Sequence, residues 1–318
     1  MPATPQVTVL GSMNMDISVS VPELPRPGAT VLGSAARFAP GGKGGNQAVA
    51  AARLGAQVRM AGCVGEDDFG VRLLEALDSE SVDTSAVRQV PGTASGLALI
   101  PVDPFGENMV TVAAGANETV GDDEVRSAFK HPADVLIISA EIPALAITDA
   151  LSQARQARQG GAAVDTCLLN LAPVPPRAGD LLAAGVDWLV VNEIEAAAVL
   201  GHPASGLADA AAAAADLLTA GAAHAVVTAG AAGAAYAGPD GTVTVPGFPV
   251  RAMDSVGAGD TFVGALATAI GAGVTPESAI RAASAAAAVA TTRPGTQAAM
   301  PRPAEITALT GIVWPLAI

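Results

Sequence analysis

Residues 254–262, DSVGAGDTF, lead into a run of small residues that reads as a helix. Gly257, Ala258 and Gly259 carry no bulky side chains, so several amide N–H groups can converge at the helix start and form a nest for phosphate oxygens. A carboxylate beside such a nest can take the proton of an attacking hydroxyl during phosphoryl transfer, which would make Asp260 a base. An aspartate in a first turn is equally an N-cap, and geometry decides between the two. A second motif, GGKGGNQ at 41–47, sets four glycines around one of only two lysines, ahead of an alanine-rich run. Its glycines let amides approach a ligand closely, and Lys43 and Asn46 add side-chain donors; a loop with a solvated lysine is the plainer alternative. Asn14 and Asp16 stand two apart on an extended segment, so they face one way and can donate to and accept from adjacent sugar hydroxyls. A turn explains that pair as well.

These motifs need positioning. Short apolar runs alternate with alanine-rich stretches of helical character, the pattern of βα units around a parallel sheet. The spacing predicts strands at 7–10, 58–64, 134–140, 163–170, 186–191 and 225–228, and helices at 45–54, 68–79, 122–129, 144–159, 193–200, 207–219, 260–272, 276–292 and 303–309. No linker divides the chain, so residues 1–318 read as one α/β domain: a large, mostly parallel central sheet with helices on both faces. Residues 17–38 and 95–113 break the alternation and predict a small antiparallel sheet acting as a lid, a dimer surface or both. Asn192-Glu193-Ile194-Glu195 and Thr228-Ala229-Gly230 each follow a strand, and ligands of open parallel sheets bind beyond the carboxyl ends of strands.

Composition excludes several classes. With 16 Lys+Arg against 30 Asp+Glu the chain carries a formal charge of −14, which disfavours nucleic-acid and anionic-membrane partners. The longest uncharged run, 217–239, holds four glycines and a histidine and does not read as a membrane span. No Lys or Arg precedes Arg26, so a signal peptide's basic region is missing and the expected compartment is the cytoplasm. Cys63 and Cys167 lie in separate apolar runs and read as buried free thiols. A Walker A loop fails because Gly44 follows Lys43 and Arg37 stands where its first glycine belongs. Dinucleotide-type G-x-G-x-x-G fails wherever it is sought, G-x-S-x-G does not occur, and His131, His202 and His224 show neither triad nor zinc spacing.

Taken together, VLGSMNMD (9–16), GGKGGNQAVA (41–50), GEN (106–108), AGAN (114–117), LNLAP (169–173), NEIE (192–195) and DSVGAGDTF (254–262) resemble, in order and over nearly the full length, the ribokinase (PfkB-type) carbohydrate kinase family. The resemblance implies transfer of the ATP γ-phosphate to the 5-hydroxyl of D-ribose, or within the same family to deoxyribose, fructose, ketodeoxygluconate or a nucleoside such as adenosine. By position, Asn14, Asp16, Gly42, Lys43, Asn46 and Glu141 would contact the sugar, Asp260 would be the base, and Gly257, Ala258 and Gly259 would line an anion hole. The nucleotide would lie along Asn192, Glu195, Thr228, Gly230, Gly233, Gly259 and Ser284, with Mg²⁺ held mostly by phosphates and water. A potassium ion would take Asp254 and the carbonyls of Val256, Ala290, Arg293 and Gly295. The lid would pair across a homodimer. Two positions depart from the family pattern: Ala299 replaces a serine near the cation, and Ser284 a histidine beside the adenine. A sugar sensor on a decayed kinase scaffold would have lost its base or anion hole, and this chain keeps both motifs.

Overall fold

A computed structural model describes residues 4–160 and 164–316. In chain order its strands are β1 (Gln6–Leu10), β2 (Asn14–Ser20), β3 (Arg37–Gly41), β4 (Gln57–Gly65), β5 (Asp83–Val90), β6 (Gly96–Val102), β7 (Thr111–Ala113), β8 (Ala133–Ser139), β9 (Val164–Asn170), β10 (Val186–Asn192), β11 (Ala222–Thr228), β12 (Gly233–Gly238) and β13 (Gly241–Pro246). The α-helices are α1 (Lys43–Arg53), α2 (Asp68–Ser79), α3 (Asp122–Ala128), α4 (Ala144–Gly160), α5 (Ala178–Ala183), α6 (Glu193–Leu200), α7 (Gly206–Thr219), α8 (Ala258–Gly271), α9 (Pro276–Ala290) and α10 (Pro303–Thr310).

Nine strands form the central sheet in the order β13-β12-β11-β10-β9-β8-β1-β4-β5. From β11 to β5 every pairing is parallel, and β12 and β13 add an antiparallel edge. Parallel strands need both faces covered, and the alternation along β8 shows that they are. Val135 and Ile137 join a core with α1, α2, α8 and α9, while Leu136 and Ile138 join one with α3, α4 and α7 on the other face. Both cysteines are buried. Among the described residues no helix is long and apolar enough to cross a membrane.

Four regular elements of the main body, β5, β12, β13 and α5, were absent from the sequence reading. Edge strand β5 has no clean alternation, and its partner β4 defines it. In β12, GAAYAG lacks β-branched residues and becomes a strand because β11 and β13 flank it. Helix α5 spans six residues, too few for a periodic signal. The strand start expected at residue 163 lies outside the described residues.

Strands β3-β2-β6-β7 form the separate small sheet. Its β2–β3 and β6–β7 pairs are antiparallel, and they are joined by a parallel β2–β6 pair. The parallel join follows from connectivity: β2 leaves the carboxyl end of β1, and β6 leaves that of β5, which runs the same way. Within the expected lid stretch 17–38, most of 21–36 is exposed chain without strand structure.

Candidate active site

Helix α8 begins where Gly257 turns into the left-handed region at φ 77°, a position where a Cβ would stand 2.8 Å from Thr296 Cγ2. The Ala258 amide donates to Ser255 O, and the first helical bond runs from Thr261 N to Gly257 O. The nest is thus narrower than its sequence suggested: Ala258 shapes the turn, and Gly259 and Asp260 carry amides ahead of the helical ladder. A Cβ on Gly259 would meet nothing within 4 Å, so this residue fronts open space.

The Asp260 side chain is 7% exposed and does not cap the helix. Its Oδ2 accepts from Asn46 Nδ2 at 2.9 Å, and its Oδ1 accepts from Gln47 Nε2 at 3.0 Å. Gln47 Nε2 also donates to Asn170 Oδ1 at 2.9 Å, and Gln297 Nε2 donates to Asn46 Oδ1 at 3.2 Å. Side-chain amides from α1, β9 and the 296–299 turn therefore fix the carboxylate's direction. The helices approach this closely because of Gly264, where a Cβ would lie 2.7 Å from both Ala50 Cβ and the Gln47 carbonyl oxygen.

The glycine motif brings α1 against β2. Gly42 caps α1 at φ 81°, and a Cβ there would stand 2.6 Å from Asn14 N. A Cβ on Gly41 would run into the Asp16 carboxylate. Glu141 Oε2 accepts from Ser12 Oγ at 2.6 Å and from the Lys43 amide at 3.1 Å, joining β1, α1 and the end of β8. Burial, then the neighbouring Glu141 and Asp260 carboxylates, raises Asp16 to about 7. The Asp260 charge holds the Lys43 ammonium above the usual lysine range, with Glu141 and Glu195 adding to it against burial. Burial raises Glu195 above the usual carboxylate range, while the Asn192 amide and Lys43 oppose that shift. Asn14, Asp16, Gly42, Lys43, Asn46, Glu141 and Asp260 thus form one cluster.

Beside it lie two adjoining cavities. The smaller, about 230 Å³, is lined by Lys43, Asn192, Glu195, Thr228, Gly257, Gly259 and Asp260. The larger, about 480 Å³, takes Thr228, Gly230, Gly233, Phe248, Gly259, Phe262 and Ser284 into its walls. Thr228, Ser255 and Gly259 border both, so a path runs from Asp260 to Ser284. The Ser284 hydroxyl is buried without a protein partner. The Asn192 and Glu195 side chains are already engaged in a capping box at the start of α6.

Asp254 ties two loops together: Oδ2 accepts from Gly295 N at 2.9 Å and Oδ1 from Val256 N at 3.0 Å. This brings Val256 beside the segment that follows Ala290 at the end of α9. Each Asp254 oxygen keeps a further lone pair, and backbone carbonyls of both loops add neutral oxygens, a donor set that fits a hard monovalent cation. Arg293 turns its guanidinium toward Glu305, 2.6 Å away. Ala299 is fully buried and offers only its backbone. Among the described residues no group of three or more His, Cys, Asp or Glu is arranged to hold a metal. A divalent cation would therefore take most of its ligands from phosphates and water.

The family model described as pfkB family carbohydrate kinase matches residues 4–303. The chain belongs to the pfkB family of carbohydrate kinases. This kinase is 36% identical to a ribokinase of Haemophilus influenzae over 93% of its own length and 95% of that protein. It is 32% identical to a deoxyribokinase of Salmonella typhi, with 93% and 95% covered. The structure of an Arabidopsis thaliana ribokinase complexed with ribose and ATP superposes with a TM-score of 0.85 at 27% identity, covering 99% of this kinase and all of that chain.

Sequence reasoning gave no role to Ser12, Gln47, Asn117, Asn170 or Gln297 of this kinase. Gln47 and Asn170 had a usable signal: Gln47 is a polar residue inside the glycine motif, and Asn170 a polar residue at the end of an otherwise apolar strand. Gln297 had none, because its approach to Asn46 spans 251 positions of the sequence.

Proposed function

We propose that the kinase transfers the γ-phosphoryl group of ATP to the 5-hydroxyl of D-ribose, giving ribose 5-phosphate and ADP. One observation carries this reading: the buried Asp260 carboxylate, held by two amide donors, stands where the Asn14–Asp16–Glu141 cluster meets the cavity that fronts α8. Asp260 accepts the hydroxyl proton as the sugar oxygen attacks the γ-phosphorus and the β–γ bridging oxygen leaves with ADP. The Gly257 and Gly259 amides and the N-terminus of α8 stabilise charge growing on the transferring group. Lys43 faces both the base and the phosphates. Asn14, Asp16, Gly42, Lys43, Asn46 and Glu141 hold the sugar under the lid, which excludes water from a competing hydrolysis.

The base of the nucleotide lies in the larger cavity with Gly230, Gly233 and Ser284, and the phosphates pass Thr228, Asn192 and Glu195. Mg²⁺, when bound, neutralises the β- and γ-phosphates. Potassium fits at Asp254 with the carbonyls of Val256, Ala290, Arg293 and Gly295. We read residues 1–318 as one domain, cytoplasmic, and dimeric through the lid.

The test is a coupled ATP-consumption assay over pentoses, hexoses and nucleosides, with Mg²⁺ and with potassium or only sodium. Preferred turnover of ribose, stimulated by potassium, is expected; a higher kcat/KM on 2-deoxyribose, fructose or adenosine moves the substrate. Asp260→Asn should lower kcat by at least about 10³-fold while ribose still binds by calorimetry. Near-wild-type turnover would remove Asp260 from the role of base.

A further inference from the structure

The AGAN motif at 114–117 has so far no place in the chemistry, although its asparagine lies deep in the sugar-side cluster. Asn117 is 1% exposed and sits in a 3₁₀ turn that follows β7. Gly115 makes that turn possible: its φ is +54°, and a Cβ on it would lie 2.5 Å from Ala94 O and 2.8 Å from Ser95 O. The turn is thereby tucked under the 94–95 chain, which delivers Asn117 to the β1–β2 connection.

There Asn117 grips one residue by both backbone groups. Its Oδ1 accepts from Met13 N at 3.0 Å, and its Nδ2 donates to Met13 O at 3.1 Å. This pair fixes the orientation of the Asn117 amide by chemistry alone, since an N–H must meet an oxygen and a carbonyl must meet a donor. The second hydrogen on Nδ2 is then the group left for Asn14, and it meets Asn14 Oδ1 at 2.8 Å. Gly96 in β6 gives the two amides room, because a Cβ there would run into both Asn14 Oδ1 and Asn117 Nδ2. With Oδ1 committed to Asn117, the Asn14 amide turns its Nδ2 the other way.

We infer that Asn117 is a positioning residue that sets the hydrogen-bond polarity of Asn14, so that Asn14 offers a donor and selects a sugar bearing an acceptor hydroxyl at that point. This rests on the proposed placement of the sugar beside Asn14. The polarity is inherited through a chain that starts at a backbone amide, which holds its direction as long as β1 and β2 are folded. A buried site built to donate rejects an analogue lacking the matching hydroxyl, because the donor is then left unpaired.

The decisive experiment crosses Asn117 variants with singly deoxygenated riboses (1-, 2- and 3-deoxy), measuring kcat/KM for each sugar and KM for ATP. Asn117→Asp keeps shape and still accepts from Met13 N, but turns an acceptor toward Asn14. The Asn14 amide must then flip and present its oxygen to the sugar. The expected result is a loss of about 10–100-fold in kcat/KM on ribose, ATP KM unchanged, with the loss vanishing on the one deoxy sugar that lacks the partner hydroxyl. Asn117→Ala removes the clamp without adding a charge, and should show the same single-hydroxyl pattern at smaller size. Equal losses on all four sugars in both variants would mean a merely structural role and overturn the inference, as would variants indistinguishable from wild type. Asn14→Ala separates the two levels. If it also leaves hydroxyl discrimination intact on an active enzyme, the sugar does not sit beside Asn14 and both readings fall; if Asn14→Ala alone removes it, only the role of Asn117 falls.

Discussion

Asp16 shows how a residue proposed to hold the sugar can oppose folding. Its carboxyl packs against the backbone of Gly41 and shares a buried site with Glu141 and Asp260, which brings it to about 7 from an ordinary 3.8. An acid whose folded value lies above its unfolded one keeps its proton longer in the folded state. Between pH 4 and 7 the folded chain binds more protons than the unfolded one, so stability from this group falls as pH rises through that window and then levels. Asp16→Asn has no such titration. The Tm of the variant minus that of the wild type should therefore grow from pH 4 to pH 7 and stay flat above it, while KM for ribose rises because an acceptor is lost. Glu195 shifts in the same direction but is common to both proteins and cancels in the difference. A Tm difference independent of pH would place the titration elsewhere. Asn14, Asp16, Lys43 and Asp260 could be named from residue type and spacing, because each lies in a short motif whose chemistry is local. Asn117 and Gln297 could not, since their work is to aim another side chain across more than 100 positions of chain.

The helices that carry these residues were legible as helices, but their mutual approach was not. A sequence window shows that residues around 45–54 and 260–272 are small and periodic; only the fold shows that Gly264 is where the two touch. At that contact a Cβ would lie 2.7 Å from Ala50 Cβ and from the carbonyl oxygen of Gln47, whose side chain holds Asp260. Gly264→Val should therefore act twice. Overpacking of this kind costs about 1–3 kcal/mol, read as a lower urea midpoint. Displacement of α8 against α1 also loosens the amide grip on the base, so kcat should fall more than KM for ribose changes. A lowered midpoint with unaltered kcat would show that base alignment does not depend on this packing. The missed elements follow the same logic: β5, α5 and the β12–β13 edge take their form from neighbours, and the strong local patterns of β1, β8 and α9 made those visible in advance.

At the scale of the molecule, the small sheet is the part whose surface is least complete. Its inner row pairs Asp16 with Ala39 on β3 and with Ala98 on β6, and Ala98 with Val112 on β7. Around that row the lid leaves large apolar side chains in the open: Phe105 is 90% exposed, Val110 56%, and Met109, Val112 at the end of the row and Leu99 on the opposite face nearly half. Both β3 and β7 are edge strands with unpaired backbone groups, a combination that proteins ordinarily cover. A second lid placed against this one would bury the patch, close the edges and hold Asp16 away from water, which ties assembly to sugar binding without touching the nucleotide cavity. Val110→Asp puts a charge on the patch at an already exposed position, so the subunit itself should remain folded. Sedimentation should then report a dimer for the wild type and a monomer for the variant, and KM for ribose should rise about tenfold with KM for ATP unchanged, since only the sugar side loses its cover. A wild type that is monomeric, or a monomeric variant that binds ribose as tightly as the dimer, would mean that the lid closes the site from within one subunit and that its apolar face has another use.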